Sequence, residues 1–339
     1  MSEWIVAQSL PVVVVFGFIS LALLIFSSEQ AVKRLVGLAY YANLSTAFVG
    51  MTVVSLATSI PEITAHFTAS VGILRGSLDY QIGSAVVLGA NIGSDVIQQT
   101  LIMGIVVFVA RELKFRRYFL IKSMLPMVGT TVMCIILGWD RTYSRIDGAI
   151  LFGTFLLYTY YLYMDERKYY RKEEQQTSEE TPSSGLEALK WGALAIGAMC
   201  LTVFSAQIVL SITQLVVQRT GIGGSLVGVV TLGVASALPE MTTAVAGIRR
   251  KDAGIPLGTL VGSNITNPLV AIGGGALIST YWAPKPLLYW DLPWETVTGL
   301  ILWAILWLTK GKLNRVAAVY LMVLYVAYIT LRAIFFAVD

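Results

Sequence analysis

The chain has 339 residues, of which 56% are hydrophobic and only 13% are charged, and its formal net charge is +4. Soluble domains carry about 25% charged residues, so this composition excludes a soluble globular fold and indicates a membrane protein. Apolar segments occupy nearly the whole length, which leaves no room for a separate soluble domain. The lipid bilayer is therefore an expected partner, and nucleic acid is not.

A helix needs about 20 apolar residues to cross the hydrocarbon core of a bilayer. The N-terminus lacks the basic region of a cleavable signal peptide, so we interpret the first apolar run as a retained span. On this basis the sequence predicts an all-α membrane protein with ten transmembrane helices. They are expected near residues 7–27, 36–73, 81–109, 119–138, 147–164, 188–214, 223–248, 254–280, 288–309 and 314–336.

The distribution of basic residues predicts the orientation of these spans. Cytoplasmic loops of membrane proteins are enriched in Lys and Arg. Loops after odd-numbered spans hold most of these residues, so we expect them in the cytoplasm and both termini outside. We expect the protein to be integral to the cytoplasmic membrane. Loops after even-numbered spans hold only Arg75, Arg141, Arg145, Arg219 and Lys285.

One hydrophilic stretch, 165–187, divides the chain into a first half, 1–164, and a second half, 188–339, of five spans each. Its mixed charges and small polar residues are typical of a mobile linker. A regulatory ion-binding loop is the alternative, although no ligand spacing is present. Because each half has an odd number of spans, the second half enters the membrane from the opposite side. Inverted repeats of this kind are common in secondary transporters, which bind substrate near the midplane.

Two apolar segments carry the same pattern, in which proline is followed by glutamate. Segment 56–62 reads Leu-Ala-Thr-Ser-Ile-Pro-Glu, and segment 234–240 reads Val-Ala-Ser-Ala-Leu-Pro-Glu. Proline removes a backbone donor and disfavours helix at the preceding residue, so spans two and seven are predicted to be broken helices. A carboxylate at membrane depth usually marks an ion pathway. Glu62 and Glu240 are therefore candidate ion ligands; internal salt bridges are the alternative, but the adjacent spans offer no base.

Each half also carries a helix of small residues that contains a Gly-Ser pair and an amide one turn later. Ser94 shares a helix face with Gln98, as Ser263 does with Asn267. Small residues allow close packing, so we expect these helices to pack against the broken ones around a cavity. Carboxylates, hydroxyls, amides and free carbonyls are ligands that suit Ca²⁺. Two close buried carboxylates would not both stay ionised alone, so the emptied site must refill with Na⁺ or H⁺, which predicts exchange.

These motifs resemble the α-repeats of the calcium/cation antiporter superfamily, in particular the sodium/calcium exchangers, whose repeats read Gly-Thr-Ser-Leu-Pro-Glu followed by Gly-Asn-x-x-Gly-Ser-Asn. The resemblance implies two inverted five-helix repeats around a central Ca²⁺. It also implies that spans one and six slide as a gate across a static core. The ligands that it implies are Glu62, Glu240 and the carbonyls of Thr58 and Ser236 for Ca²⁺, and Ser94, Ser263 and the carbonyls of Ser55 and Gly233 for Na⁺.

The chain departs from this family pattern at the two amide positions. Such exchangers commonly have an acid at one of the positions that Gln98 and Asn267 occupy here, and two amides are more like the calcium/proton branch. The second repeat also has Ser236-Ala237 where Thr-Ser is usual. The leading candidates for the counter-ion are Na⁺ and H⁺, and K⁺ involvement or a divergent cation is a further alternative. The amides themselves either contact the ion, directly or through water, or form an interhelical hydrogen bond.

Four further polar residues are candidates for a role at the site. Asp95 follows the first Gly-Ser pair and is either a third site carboxylate or paired elsewhere. His66 lies one turn after the first glutamate and is either a proton relay or a hydrogen-bonded histidine of an outer vestibule. Ser59 and Asn91 are possible additional ligands.

The leading hypothesis is a secondary active antiporter that exchanges Ca²⁺ for Na⁺ or H⁺. A cation channel is the first rival, but channels usually need a continuous pore around an oligomeric axis. An intramembrane enzyme is the second rival, and the sequence lacks a metal-hydrolase motif or a nucleophile motif for it. We expect a monomer that uses inorganic cations as its substrates and needs no cofactor.

Overall fold

The computed structural model describes residues 8–42, 55–115, 120–169, 181–249 and 254–339, and these ranges are mostly helical. Four short strands lie between helices: β1 (Glu112–Lys114), β2 (Thr142–Tyr143), β3 (Tyr281–Trp282) and β4 (Lys312–Asn314). The helices are α1 (Leu10–Tyr41), α2 (Ser55–Thr58), α3 (Ile60–Leu74), α4 (Tyr80–Ala110), α5 (Leu120–Leu137), α6 (Arg145–Tyr169), α7 (Gly185–Thr220), α8 (224–236), α9 (Leu238–Arg249), α10 (254–278), α11 (287–308) and α12 (Arg315–Phe335).

Six helical segments of the described chain are long and apolar enough to cross a membrane: Leu10–Leu35, Tyr80–Ala110, Leu120–Leu137, Gly185–Thr220, Gly224–Thr242 and Arg315–Phe335. The share of buried residues in each segment distinguishes interior helices from peripheral ones. In the apolar window of α4 78% of the residues are buried, and 72% in the window that covers α8, against 22% for α1 and 22% for α12. Helices α4 and α8 therefore form the centre of the fold.

The predicted boundary between the first two spans was wrong. Helix α1 continues without a break through the expected loop at residues 28–35 and ends at Tyr41. Within it, the Arg34 guanidinium donates to the carbonyl and the side-chain oxygen of Gln30 at 2.9 and 2.8 Å. Residues four apart are neighbours on a helix, so charged side chains are accommodated along it without a loop. Residues 43–54 of the second predicted span lie outside the described ranges.

The ends of the predicted linker are also helical. Helix α6 extends to Tyr169 and α7 begins at Gly185, while residues 170–180 lie outside the described ranges. Ser184 accepts from the backbone N–H of Glu187, and Ser183 donates to the Glu187 carboxylate. This arrangement resembles a capping box, which stabilises the start of a helix. Glu187 therefore belongs to α7.

Helices α4 and α8 pack so closely that glycine is required where they meet. A Cβ atom at Gly89 would lie 2.2 Å from the backbone oxygen of Ser225, and one at Gly228 would lie 2.2 Å from that of Val86. Helix α10 packs in turn against α2, α3 and α9. The expectation that each small-residue helix packs against a broken helix is confirmed, since α4 contacts α8 and α10 contacts α3.

The loops gather at two opposite ends of the helices. Strand β1 pairs antiparallel with β4, which joins the connection after α4 to that after α11. Strand β2 pairs antiparallel with β3, which joins the connection after α5 to that after α10. At the end of α7, Arg219 donates to the carbonyl of Gln8, and Gly223 donates to the carbonyl of Ala337. The two ends of the described chain therefore lie on the same side.

Helices α1 and α7 form a long antiparallel pair. The Thr202 hydroxyl of α7 donates to Ser27 of α1 at 2.9 Å, and a Cβ at Gly17 would lie 3.1 Å from Ile212. These are the helices that the family resemblance assigns to a sliding gate.

Candidate ion-binding site

Both broken helices are interrupted two residues before their proline. Ser59 separates α2 from α3, and Ala237 separates α8 from α9, so Pro61 and Pro239 are the second residues of new helices. From the sequence, the break was predicted at the proline itself. Proline is tolerated in the first turn because its missing N–H would have no helical partner there. The interruption therefore precedes the proline in both segments.

This position explains why a glutamate follows each proline. Glu62 and Glu240 lie in the first turns of α3 and α9. The first turn of a helix carries backbone N–H groups without helical acceptors and a positive end of the helix dipole, both of which stabilise an anion. Two carboxylates, at 3% and 0% exposure, are thus held in the interior at helix N-termini.

Each glutamate receives a hydrogen bond from the Gly-Ser helix of its own half. The Ser94 hydroxyl donates to Oε1 of Glu62 at 2.8 Å, and the Ser263 hydroxyl donates to Oε1 of Glu240 at 3.3 Å. Ser94 also accepts from Nε2 of Gln98 at 3.0 Å, as the shared helix face predicted.

The two halves meet at this point. The hydroxyls of Thr58 and Ser263 lie 3.4 Å apart. Across the halves, the Ser236 hydroxyl interacts with Glu62 and the Thr58 hydroxyl with Glu240. The charges of the two glutamates also interact with each other. One site is therefore built from both broken helices and both Gly-Ser helices.

Several buried oxygen atoms at this site have no hydrogen-bond partner among the described residues. They are Oε2 of Glu62, Oε2 of Glu240, Oδ1 of Asn91, Oδ1 of Asn267 and Oγ of Ser59. Leaving a buried polar atom unsatisfied destabilises a protein by about 1–3 kcal/mol, and more if it is charged. When the two glutamates are ionised, all of these atoms except the Ser59 hydroxyl can only accept, and a cation would satisfy them together.

The composition of the site restricts the kind of cation that fits. Within the described ranges, no group of three or more His, Cys, Asp or Glu side chains is arranged to hold a metal ion. Two carboxylates with hydroxyl and amide oxygens form a hard, all-oxygen ligand set. Such a set suits Ca²⁺ or an alkali cation better than zinc, which prefers nitrogen and sulfur ligands.

The two candidate amides begin π-helical turns. These turns span Gln98–Ile102 in α4 and Asn267–Ile272 in α10. Isolated π-turns of this kind are frequent at functional sites. The amides nevertheless differ in their bonding. Gln98 donates to Ser94 and accepts from Asn264 at 3.1 Å, whereas Asn267 donates to Asp95 at 2.6 Å and keeps an unpaired oxygen.

The family resemblance implies backbone carbonyl ligands at Ser55 and Gly233, and the two residues have different surroundings in the structure. Ser55 is the first residue of α2, one turn before the break. The Gly233 carbonyl accepts from the Ala237 amide and from the Ser236 hydroxyl, each at 3.3 Å. Both lone pairs of that carbonyl are therefore occupied in this arrangement.

Asp95 lies beside the site. Near it lies a second buried acid, Glu295, which was not predicted from the sequence. Asp95 is 1% exposed, and Glu295 of α11, which is 2% exposed, lies near enough for negative charges on the two carboxyl groups to repel each other. The Thr131 hydroxyl of α5 donates to Oε1 of Glu295 at 2.7 Å. A carboxylate in the apolar ninth span was a signal that could have found this residue.

His66 is hydrogen-bonded, as one of its two predicted roles requires, but it is only 1% exposed and so does not line an open vestibule in this structure. Its Nδ1 lies 3.2 Å from the hydroxyl of Tyr281, which also donates to the His66 carbonyl at 2.9 Å. The same hydroxyl lies 2.6 Å from Ser70, which donates to the Gly275 carbonyl. This buried cluster ties the middle of α3 to the end of α10, and Tyr281 had not been predicted as part of it.

Among the described residues, Arg332 is the buried Lys or Arg side chain, and it does not pair with the site glutamates. Nε of Arg332 lies 3.0 Å from both carboxylate oxygens of Asp291, and Tyr328 donates to the same carboxylate at 2.9 Å. Both charged residues are fully buried. The salt-bridge alternative for Glu62 and Glu240 therefore has no support from this arginine.

Comparison with known proteins decides the family. A family model described as "Sodium/calcium exchanger protein" matches residues 12–164 and 189–334, which is most of the chain. The chain belongs to the sodium/calcium exchanger family. The two matched ranges leave out residues 165–188, the region of the predicted linker, and the family is one of integral membrane transport proteins.

Known proteins and solved structures that this chain resembles match it over most of its length. The inner membrane protein YrbG of Escherichia coli is 27% identical over 269 residues, which are 77% of this chain and 78% of YrbG. The solved sodium-calcium exchanger NCX_Mj superposes with a TM-score of 0.62 at 20% identity, over 94% of this chain and 97% of that one. The H⁺/Ca²⁺ exchanger CAX gives a TM-score of 0.73 at 14% identity, over 93% and 81%.

Proposed function

We propose that this exchanger-family protein is a secondary active antiporter that exchanges Ca²⁺ for Na⁺ or H⁺ at a site formed by Glu62 and Glu240. The observation that carries the proposal is the set of buried acceptor oxygens without donors at the meeting point of the two broken helices. The names of NCX_Mj and CAX support it, since both are described as exchangers of Ca²⁺.

The two carboxylates explain why the protein would exchange ions rather than carry one alone. Two glutamates balance the charge of one Ca²⁺. After Ca²⁺ leaves, the same buried carboxylates would repel each other in a site that water solvates poorly. Na⁺ or H⁺ must therefore bind before the emptied site can change from opening on one side of the membrane to opening on the other. Exchange then follows from the electrostatics of the site.

We assign the ions to the residues as follows. Ca²⁺ binds the carboxylates of Glu62 and Glu240, with the Thr58 and Ser236 carbonyls completing its shell. Na⁺ binds near Ser94 and Ser263, with the carbonyls of Ser55 and Gly233. The Gly233 carbonyl can take part only if its two present donors move away. Asn267, Asn91 and Ser59 offer further oxygens, whereas the Gln98 oxygen is engaged by Asn264.

We infer that the chain crosses the membrane ten times as two inverted repeats, 1–164 and 188–339, with both termini outside the cytoplasmic membrane. The paired strands support this arrangement. Strands β1 and β4 belong to loops after the third and ninth spans, which were predicted to be cytoplasmic, and β2 and β3 belong to loops predicted to be outside. A single chain contains every ligand named above, which supports function as a monomer.

Na⁺ and H⁺ remain the two leading candidates for the counter-ion. The family membership favours Na⁺, while amides at both Gln98 and Asn267 favour H⁺. The deciding experiment is uptake of radioactive Ca²⁺ into proteoliposomes under an outward Na⁺ gradient and, separately, an outward H⁺ gradient. Uptake driven by one gradient identifies the counter-ion. Uptake that ignores both gradients would contradict exchange and favour a channel or uniporter.

A further inference from the structure

A continuous chain of hydrogen bonds runs from α11 to the site glutamate of α3. Every side chain in it is at most 3% exposed. Its residues lie on four helices, α11, α4, α10 and α3. In order, Thr298 donates to Gln99 (3.4 Å), Gln99 to Asn264 (2.7 Å), Asn264 to Gln98 (3.1 Å), Gln98 to Ser94 (3.0 Å) and Ser94 to Glu62 (2.8 Å).

One backbone carbonyl determines the direction of this chain. The Leu260 carbonyl can only accept, and it lies 2.7 Å from the Asn264 side chain, so the atom facing it must be Nδ2. The oxygen of Asn264 therefore faces Gln99, which must donate. The second hydrogen of Nδ2 goes to the oxygen of Gln98.

The remaining links follow from that choice. With its oxygen engaged, Gln98 presents its nitrogen to Ser94, and the single hydrogen of the Ser94 hydroxyl is left for Glu62. All donors from Gln99 onward point toward the carboxylate. The Thr298 link is the weakest, because that hydroxyl also contacts the carbonyls of Trp294 and Glu295.

A hydrogen-bond chain with one direction strengthens its last donor, because each bond polarises the next in a buried environment. The other half of the protein has no such chain among the described residues. There, Ser263 lies 3.3 Å from Glu240 and 3.4 Å from Thr58. Glu62 is therefore held more firmly than Glu240, with Oε1 fixed and Oε2 directed to other ligands.

We propose that Gln99 and Asn264 are positioning residues that hold Glu62 in place for cation binding. The proposal rests on the function inferred above and adds two residues that do not themselves bind the ion. They act through Gln98 and Ser94. The glycine at 299 supports it, since a Cβ there would lie 3.3 Å from the Gln99 oxygen and restrict the amide.

The test is the Ca²⁺ dependence of uptake by Gln99→Met, which removes the donor and keeps the length of the side chain. Loss of one charge-assisted chain should raise the KM for Ca²⁺ by about three- to tenfold, with kcat changed by less than about twofold. Thr100→Val is the matched control, because the neighbouring Thr100 is equally buried and its hydroxyl returns to Val96 of its own helix. Its KM should stay at the wild-type value.

Asn264→Leu tests the same chain from the opposite helix and should raise KM at least as much. The double variant Gln99→Met with Asn264→Leu should have the same KM as the stronger single variant, since one break already interrupts the chain.

Unchanged KM in Gln99→Met, an equal rise in KM in Thr100→Val, or additive effects on KM in the double variant would overturn the proposal. Should Gln99→Met fail to fold by size-exclusion chromatography, Asn264→Leu against Thr100→Val decides the question. Absence of Ca²⁺ uptake by the wild-type protein would instead contradict the exchange function itself.

Discussion

Asn267 donates its side-chain amide to Asp95 at 2.6 Å, across the two halves of the chain. The side-chain nitrogen of Asn267 therefore faces Asp95, and the side-chain oxygen of Asn267 has no hydrogen-bond partner among the described residues. Gln98, at the matching position of the first half, has both ends of its amide engaged. Two positions that are equivalent in the sequence pattern are therefore different in the structure.

Asp95→Asn should weaken Ca²⁺ binding, because an amide at 95 also offers donors and no longer holds Asn267 in one orientation. We expect Kd to rise by about tenfold, the effect of losing one hydrogen bond to a charged group. Isothermal titration calorimetry of purified protein measures it. Asp147→Asn in the first turn of α6 is the control, since Asp147 bonds only Ser144 among the bonds described and lies in another part of the fold. An unchanged Kd in Asp95→Asn would show that the orientation of Asn267 is unimportant.

Glu62→Gln and Glu240→Gln should each reduce Ca²⁺ uptake by on the order of 100-fold or more while the protein stays folded. Removing one carboxylate leaves a divalent cation undercompensated in a buried site. Initial rates in proteoliposomes, normalised to the amount of protein, measure this loss.

Glu295→Gln is the matched control for both glutamate variants. It neutralises another buried acid, keeps an oxygen for the Thr131 hydroxyl, and should retain uptake within about threefold. Robust uptake by Glu62→Gln or Glu240→Gln would contradict the assigned site. Equal loss in Glu295→Gln would show that total interior charge, rather than this site, controls transport.

Gly228→Ala should destabilise the protein, because the new Cβ would lie 2.2 Å from the Val86 backbone oxygen and force α4 and α8 apart. Overpacking of this kind destabilises by about 1–3 kcal/mol or more. Thermal unfolding in detergent, followed by tryptophan fluorescence, should show a lower Tm.

Gly153→Ala in α6 provides the comparison, since a Cβ there meets no atom within 4 Å. The same change should then be neutral or stabilising by up to about 1 kcal/mol. A Tm for Gly228→Ala equal to that of Gly153→Ala would mean that α4 and α8 are not in tight contact.

Arg332→Met should lower the Tm strongly, because Asp291 would be left buried and unpaired. Breaking a buried ion pair destabilises by about 3–5 kcal/mol, whereas replacing both partners with apolar residues is often neutral. The double variant Asp291→Leu with Arg332→Met should therefore recover part of the lost Tm. If the double variant is less stable than Arg332→Met alone, the ion pair is not what stabilises this region.

Much of the site could be predicted from sequence because its chemistry is local and repeated. A proline followed by a glutamate destabilises an ordinary membrane-spanning helix, so its presence there indicates a functional role. The same pattern recurs at Glu240, which predicted a pair of site glutamates. The helical spacing of Ser94 and Gln98 predicted a shared face, which their hydrogen bond confirms. The side chains of Ser55 and of several residues of α9 and α10 lie outside the described set and stay untested.

The missed residues are those that join helices distant in the chain. Gln99 has no local signal that distinguishes it from a packing residue, whereas Asn264 ends a Gly-Ser-Asn motif and Glu295 is an acid in an apolar span. The partners of all three residues lie 164 to 199 positions away in the chain, so the sequence did not reveal their hydrogen bonds. Likewise, the charged residues at 29–34 predicted a loop, whereas α1 accommodates them by bonds along the helix.

Composition and local sequence patterns determined that this chain is a membrane protein, the approximate positions of most helices after the second span, and the two acids that we propose as ion ligands. Those properties depend on the free energy of each segment in lipid and on backbone chemistry, both of which are local. Only the tertiary structure decided which amide keeps a free oxygen, which acid is paired with Arg332, and that a directed hydrogen-bond chain reaches Glu62 from α10 and α11. These depend on contacts between separate helices, because a buried donor or acceptor bonds whichever group the packing places beside it.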